Sequence, residues 1–269
     1  MILYPNAKIN IGLFVTGKRP DGFHDIETVF YPVALSDILE INLVPGGRGE
    51  CFFRCTGEDA GEARDNLVVR AYRLLARAFD LPSARVHLHK MIPPGAGLGG
   101  GSSDAAFALR GLNELCGLGL DDDRLSGYAA RLGSDCPFFI YNRPVIARGR
   151  GEVMVPLALS LERYRVVVVK PDRGISTAEA YRGARPAPAG VDLSCLTRLP
   201  AERWEGVVNC FEEAVASLLP EAREIKERLM AAGALYASMT GSGSAVYALF
   251  DRPVEARALF PGYFTWQDK

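Results

Sequence analysis

The stretch from Lys90 to Ala106, KMIPPGAGLGGGSSDAA, constrains this chain more than any other. Pro93 and Pro94 stiffen its lead-in, and Gly95, Gly97, Gly99, Gly100 and Gly101 then remove the Cβ from almost every other position. Such a loop reaches positive φ at low cost and lets backbone N–H groups come close to an anion. Ser102, Ser103 and Asp104 follow as N-cap residue types, ahead of the apolar-periodic run Ala105, Ala106, Leu109 and Leu112. Before the loop, Arg85 to His89 alternates as a strand does. Strand, glycine loop and helix N-terminus in that order read as a phosphate site, because the helix end carries unpaired N–H groups and a positive dipole.

The loop is not a Walker A motif: no Gly-Lys-Ser/Thr closes it, and Asp104 stands where the lysine would be. It is also a poor dinucleotide fingerprint, with Ser102 at the last glycine position of G-x-G-x-x-G. A plain glycine linker is the bland alternative, but linkers rarely run from a strand straight into a capped helix.

Composition narrows the rest. At 269 residues the chain holds one large or two modest domains, and 48% hydrophobic with 23% charged residues is ordinary for a globular chain. A net charge of −1 gives no electrostatic footprint for nucleic acid. The six cysteines form no C-x-x-C pair and the three histidines complete no zinc pattern, so reduced thiols and no protein-built metal site are expected. No apolar run reaches membrane-span length and the N-terminus lacks a signal layout, which points to a cytoplasmic protein with no membrane partner. Nothing in the sequence speaks to oligomeric state.

Along the chain, residues 2–16 read as one or two strands around Pro5, with Lys8 and Asn10 on one face. Strands are expected at 27–35, 38–44 and 51–55, with turns at 17–22 and 45–49, and a helix at 66–79. A helix capped at Asp121 runs to about Leu132, followed by Gly133-Ser-Asp-Cys-Pro-Phe-Phe139. The second half holds a continuous apolar strand at 164–170, helices over 202–218 and 220–232, and strands at 235–239 and 245–250 around Thr240-Gly-Ser-Gly243. Lys8, Asp135 and the 240–243 turn are each weak as single signals, since a lone lysine is usually a solvated charge and a lone aspartate a cap.

In combination they carry more. Pro5-Asn-Ala-Lys-Ile-Asn10, Pro94 to Ser103 and Met239-Thr-Gly-Ser-Gly243 resemble the three ordered motifs of the galactokinase, homoserine, mevalonate and phosphomevalonate kinase superfamily. Asp21-Gly-Phe-His24 and Leu132-Gly-Ser-Asp-Cys-Pro-Phe-Phe139 are similar to the branch whose acceptor is a cytidine diphosphate-linked methylerythritol of the non-mevalonate isoprenoid route. Phe23, Ser134 and Thr240 depart from that pattern, where tyrosine, alanine and serine are common.

The resemblance implies an α+β fold in two domains, 1–157 ribosomal-protein-S5-like and 158–269 ferredoxin-like. It implies a small-molecule kinase that uses ATP and Mg²⁺ to phosphorylate the 2-hydroxyl of its acceptor. Asp135 would then be the base and Lys8 its partner at the hydroxyl. Asn66, Leu67 and Lys90 would meet the adenine, and Pro93, Pro94, Gly95, Ala96, Gly97, Leu98, Gly99, Gly100, Gly101, Ser102 and Ser103 the phosphates. Phe23, His24 and Tyr181 would hold the cytosine, with Asn10, Thr177, Gly241 and Ser242 as polar contacts. Another kinase of the superfamily, or a nucleotide sensor without turnover, are the alternatives.

Overall fold

The computed structural model describes residues 1–58 and 65–268. Contacts group the chain into two units that interleave along it: Met1–Ala7, Ala34–Pro94 and Gly99–Arg143 in one, and Lys8–Val33, Gly95–Leu98 and the chain from Pro144 onward in the other.

In the first unit the alternating apolar residues build a four-stranded sheet. Its order is β1 (Ile2–Leu3), β4 (Ile38–Arg48), β6 (Pro82–Lys90) and β5 (Cys51–Gly57). Strand β4 is antiparallel to both neighbours, whereas β5 runs parallel to β6. Parallel neighbours need a crossover, and helix α1 (Leu67–Ala76) lies in that connection. Its buried residues Val68, Val69, Ala71, Tyr72, Leu74 and Leu75 make the helical stripe expected from the sequence. Helix α2 (Gly100–Leu115) approaches the sheet at Gly111, where a Cβ would come within 2.7 Å of the Leu3 side chain. Helices α3 (Asp122–Ala130) and α4 (Cys136–Tyr141) complete the unit. Helix α4, six residues with Pro137 in its first turn, is too short to show periodicity and was not expected. The expected turn at 45–49 is instead largely taken into β4, which reaches Arg48 through a register shift between Leu43 and Arg48.

The second unit holds two sheets. One has the order β2 (Asn6–Lys18), β3 (His24–Ser36), β7 (Val145–Gly149) and β8 (Val153–Pro156). The other has β10 (Tyr236–Met239), β11 (Val246–Phe250), β9 (Arg165–Lys170) and β12 (Phe264–Gln267), every pair antiparallel. Helices α5 (Thr177–Gly183), α6 (Glu212–Leu218), α7 (Pro220–Ala231) and α8 (Ala256–Leu259) fill its connections, giving the β-α-β-β-α-β order expected of a ferredoxin-like domain. Val166 to Val169 are buried on both faces of the sheet, which is why β9 reads as an unbroken apolar run. Antiparallel pairing dominates and helices are segregated from it, so the α+β expectation is met.

A third departure from the sequence reading lies in the second unit. Residues 202–218 do not form one helix: a single 3₁₀ turn covers Ala201–Arg203, and α6 begins only at Glu212. Tertiary bonds hold the intervening backbone. Leu13 N donates to Val208 O and Cys210 N to Leu13 O, both at 2.9 Å. Asn209 Nδ2 reaches Met239 O and Gly241 O, both at 2.8 Å. These bonds outweigh helical propensity, which is a difference of tenths of a kcal/mol per residue.

Candidate active site

In the second unit, three sequence motifs meet at one network. Lys8 N donates to Leu98 O at 2.9 Å, and Ala245 N to Ala96 O at 3.2 Å. The Thr240 hydroxyl accepts from Asn10 N at 3.0 Å and donates to Gly97 O at 3.1 Å. The approach is tight enough to dictate the residue: a Cβ on Gly97, whose φ is +76°, would stand 2.0 Å from Thr240 O. Gly241 faces it reciprocally, with a Cβ position 2.9 Å from Gly97 O. The glycines at these two positions therefore serve the meeting of two loops.

Lys8 lies within this network, 3% exposed. Its Nζ donates to Asn10 Oδ1 at 2.6 Å and sits 4.9 Å from the centre of the Phe30 ring. Asn10 Nδ2 in turn donates to Thr28 Oγ1 at 3.0 Å, and that hydroxyl donates to Gly12 O. Asn10, expected as a substrate contact, is 2% exposed and uses its amide to hold the Lys8 ammonium. Thr28 was missed by the sequence reading because it lies in the middle of β3 with no local signature.

The same unit carries the residues expected at the nucleoside end of the acceptor. Phe23 is exposed, and the Arg150 guanidinium lies 3.7 Å over its ring. The His24 and Tyr181 rings stack on each other with centroids 4.9 Å apart and 30° between planes. Tyr181 also meets Phe211 edge-on at 4.8 Å. In this arrangement His24, rather than a vacant slot, covers one Tyr181 face. Thr177 and Ser242 share a hydroxyl contact at 3.1 Å, bringing the start of α5 to the second glycine turn.

In the first unit, α2 starts one turn earlier than the serines suggest. Its N-cap is Gly99 at φ +73°, so Ser102, Ser103 and Asp104 lie inside the helix and none of them is the cap. With φ above zero, a glycine takes that position where a serine would be strained. The Ser103 hydroxyl is buried and has no protein partner. Ser102 interacts with the buried Cys136 thiol, whose pKa burial pushes up to about 11, against the opposing effect of the Ser102 hydroxyl. Pro93 is buried, whereas Pro94 and Gly95 face solvent and Gly101 is exposed at the helix start.

Asn66 caps α1, its Oδ1 accepting from Val68 N at 2.9 Å, and Leu67 opens that helix half-buried. Lys90, grouped with them by resemblance, is 4% exposed and its ammonium is held by Asp37 and by Asp104, the latter at 2.8 Å. Burial pushes the Asp104 carboxyl up to about 8, with the Asp37 charge adding and Lys90 opposing. Burial alone would lower the Lys90 pKa, but Asp104 and Asp37 together outweigh it and raise it. Asp135 is the half-buried residue preceding α4, and its side chain makes no cap bond to that helix. Among the described residues no group of three or more His, Cys, Asp or Glu could hold a metal ion, and no helix is long and apolar enough to cross a membrane.

Comparison with known proteins places these features in a family. Residues 66–143 match the GHMP kinases N terminal domain and residues 192–260 the GHMP kinases C terminal domain. The chain is 49% identical over 253 residues to the 4-diphosphocytidyl-2-C-methyl-D-erythritol kinase of Bacteroides thetaiotaomicron, covering 93% of this chain and 92% of that protein. The protein of the same name from Parabacteroides distasonis is 46% identical over 270 residues, covering 99% and 98%. A crystal structure of 4-(cytidine 5'-diphospho)-2C-methyl-D-erythritol kinase superposes with a TM-score of 0.83 at 36% identity, covering 99% of this chain and 98% of that one. The Methanococcus jannaschii mevalonate kinase shares the fold, with a TM-score of 0.72 at 12% identity.

Proposed function

The chain belongs to the 4-diphosphocytidyl-2-C-methyl-D-erythritol kinase family of GHMP kinases, and we propose that it transfers the γ-phosphoryl group of ATP to the 2-hydroxyl of that cytidine diphosphate-linked alcohol. The observation that carries this reading is the glycine loop, bonded in its middle to the lysine motif and to the 240–243 turn, and running directly into the N-terminus of α2.

Phosphoryl transfer asks the protein mainly for positioning and charge stabilisation. In this reading the acceptor oxygen attacks the γ-phosphorus, the bond to the β,γ-bridging oxygen breaks, and ADP leaves. Asp135 takes the proton of the acceptor hydroxyl. Lys8, its ammonium aimed by Asn10, holds that hydroxyl and offsets charge as the phosphate closes in. The N–H groups at the start of α2 take phosphate oxygens. Mg²⁺ fits the residues present as an ion carried by the nucleotide, with Ser102 and the partnerless Ser103 hydroxyl as the protein groups that would meet it. When bound, it supplies charge neutralisation at the phosphates.

Asn66, Leu67 and the Lys90 backbone are proposed for the adenine. Phe23, His24 and Tyr181 are proposed for the cytosine, which requires the His24–Tyr181 stack to open or the base to dock outside it. The domain division at 157/158 is proposed as well, supported by the two family matches falling on either side of it. A cytoplasmic location goes with the reading, supported by six free thiols.

The test is direct: purified protein with ATP, Mg²⁺ and the cytidine diphosphate-linked acceptor should form ADP in step with phosphorylated product. Asp135→Asn should lower turnover by about two to four orders of magnitude with little change in ATP affinity. Product formation on homoserine or mevalonate but not on the cytidine compound would overturn the acceptor assignment.

A further inference from the structure

Asp37 is absent from every functional motif in the sequence, yet its side chain is fully buried and both of its carboxylate oxygens accept hydrogen bonds. One carboxylate oxygen accepts from Met91 N at 2.6 Å and from Ile92 N at 2.8 Å, the two residues that lead into Pro93 and the glycine loop. The other accepts from the Lys90 ammonium. Lys90 Nζ donates its next hydrogen bond to Asp104 Oδ2 at 2.8 Å, one turn inside α2. The ammonium lies directly beneath the helix start, since a Cβ on Gly100 would stand 3.2 Å from it. One buried cluster thus grips the residues before the loop and the helix after it.

We propose that Asp37, Lys90 and Asp104 are positioning residues for the nucleotide: the triad fixes the separation of the two ends of the glycine loop, and with it the placing of the phosphate-binding N–H groups at the start of α2. The assignment rests on the kinase reading above.

Stability alone does not account for the triad. Burying ions costs several kcal/mol each after relaxation, and well-packed apolar residues of similar volume often do as well or better. A cation within the first turn of a helix also opposes the helix dipole. What charged donors and acceptors add is direction. They fix distances to tenths of an ångström, and a phosphate cradle needs its groups within about 0.5 Å of the productive geometry. The arrangement is shared rather than simply paired: one Lys90 ammonium is held by both Asp37 and Asp104, so the residues before the loop and the helix after it are referred to a single point.

The experiment compares two substitutions at one position. Asp104→Asn keeps an oxygen facing Lys90 Nζ, whereas Asp104→Ala removes the hold on α2 and leaves Lys90 paired with Asp37. Wild-type protein is first titrated with a non-hydrolysable ATP analogue; absence of binding there refutes the kinase reading itself and leaves the triad without a role. With wild-type binding in hand, the expected result is a KM for ATP about tenfold higher in Asp104→Ala, within about twofold of wild type in Asp104→Asn, and an unchanged KM for the acceptor in both. A folded Asp104→Ala with normal ATP KM overturns the proposal, as does a parallel rise in both KM values. Should Asp104→Ala fail to fold, the apolar pair Lys90→Met with Asp104→Leu takes its place. A stable double variant that binds ATP normally, or one that also fails to fold, reduces the triad to a stability element and overturns the proposal.

Discussion

Gly95 and Gly97 sit two residues apart in the same loop at nearly the same backbone angle, φ +63° and +76°, and replacing each with alanine should separate two physical effects. At Gly95 an added Cβ meets nothing within 4 Å. The substitution then costs only the left-handed strain of about 1–2 kcal/mol, partly offset by a stiffer unfolded chain. At Gly97 the Cβ would stand 2.0 Å from Thr240 O and 2.9 Å from Thr240 C. It must retreat by more than about 1 Å to reach an ordinary C···O contact of about 3.3 Å. That movement breaks the Thr240–Gly97 hydrogen bond, worth about 1 kcal/mol, and adds overpacking of about 1–3 kcal/mol. The expected destabilisation is therefore about 1 kcal/mol for Gly95→Ala and about 3–5 kcal/mol for Gly97→Ala. Thermal unfolding with far-UV circular dichroism reads the difference, at about 2–4 °C per kcal/mol for a chain of this class. The KM for ATP should rise further in Gly97→Ala, because the clash pushes the loop from the 240–243 turn. Equal midpoint shifts for the two variants would refute the claim that Gly97 is dictated by that approach.

Other outcomes follow from the same geometry. Lys8→Met should cost turnover by at least a hundredfold while ATP binding, measured by titration, changes little; loss of binding in step with turnover would contradict the role given to Lys8. His24→Ala should erode the preference for the cytidine over the uridine acceptor in kcat/KM, because cytosine and uracil present opposite hydrogen-bond patterns and an unpaired buried group costs about 1–3 kcal/mol. Tyr181→Ala should weaken both acceptors alike, and an unchanged ratio in His24→Ala would remove it as the reader. The pH dependence of stability should carry the mark of Asp104. Its folded pKa of about 8 lies above the ordinary aspartate value of 3.8, so the folded state binds the extra proton between these values. Stability from this group is then complete below about pH 4 and is lost as pH rises toward 8. Asp104→Asn should flatten the unfolding midpoint over pH 5–8 relative to wild type, and parallel profiles would show that the carboxyl does not hold its proton there.

The sequence by itself determined the glycine loop that leads into a helix, the strands whose alternation or continuous apolar run is set by burial, the long helices with a 3.6-residue stripe, and the residue motifs that mark the family. Those signals are local: a glycine's backbone freedom, a cap, a period. Helix α4 and the 204–211 segment were not legible, the first because six residues hold too little periodicity, the second because its backbone bonds go to Leu13 and Asn209 reaches the chain beyond Met239. The site divides in the same way. Lys8, His24 and the glycines stood out by residue type and spacing. That Asn10 faces Lys8, that Gly99 rather than a serine caps α2, and that Asp37 and Asp104 share the Lys90 ammonium were decided by tertiary structure. Asp37 lies 53 residues from Lys90 in the chain. Nothing local to either residue encodes that pairing; it arises because β4 and β6 lie side by side, and once both are buried a charge needs an opposite charge within reach.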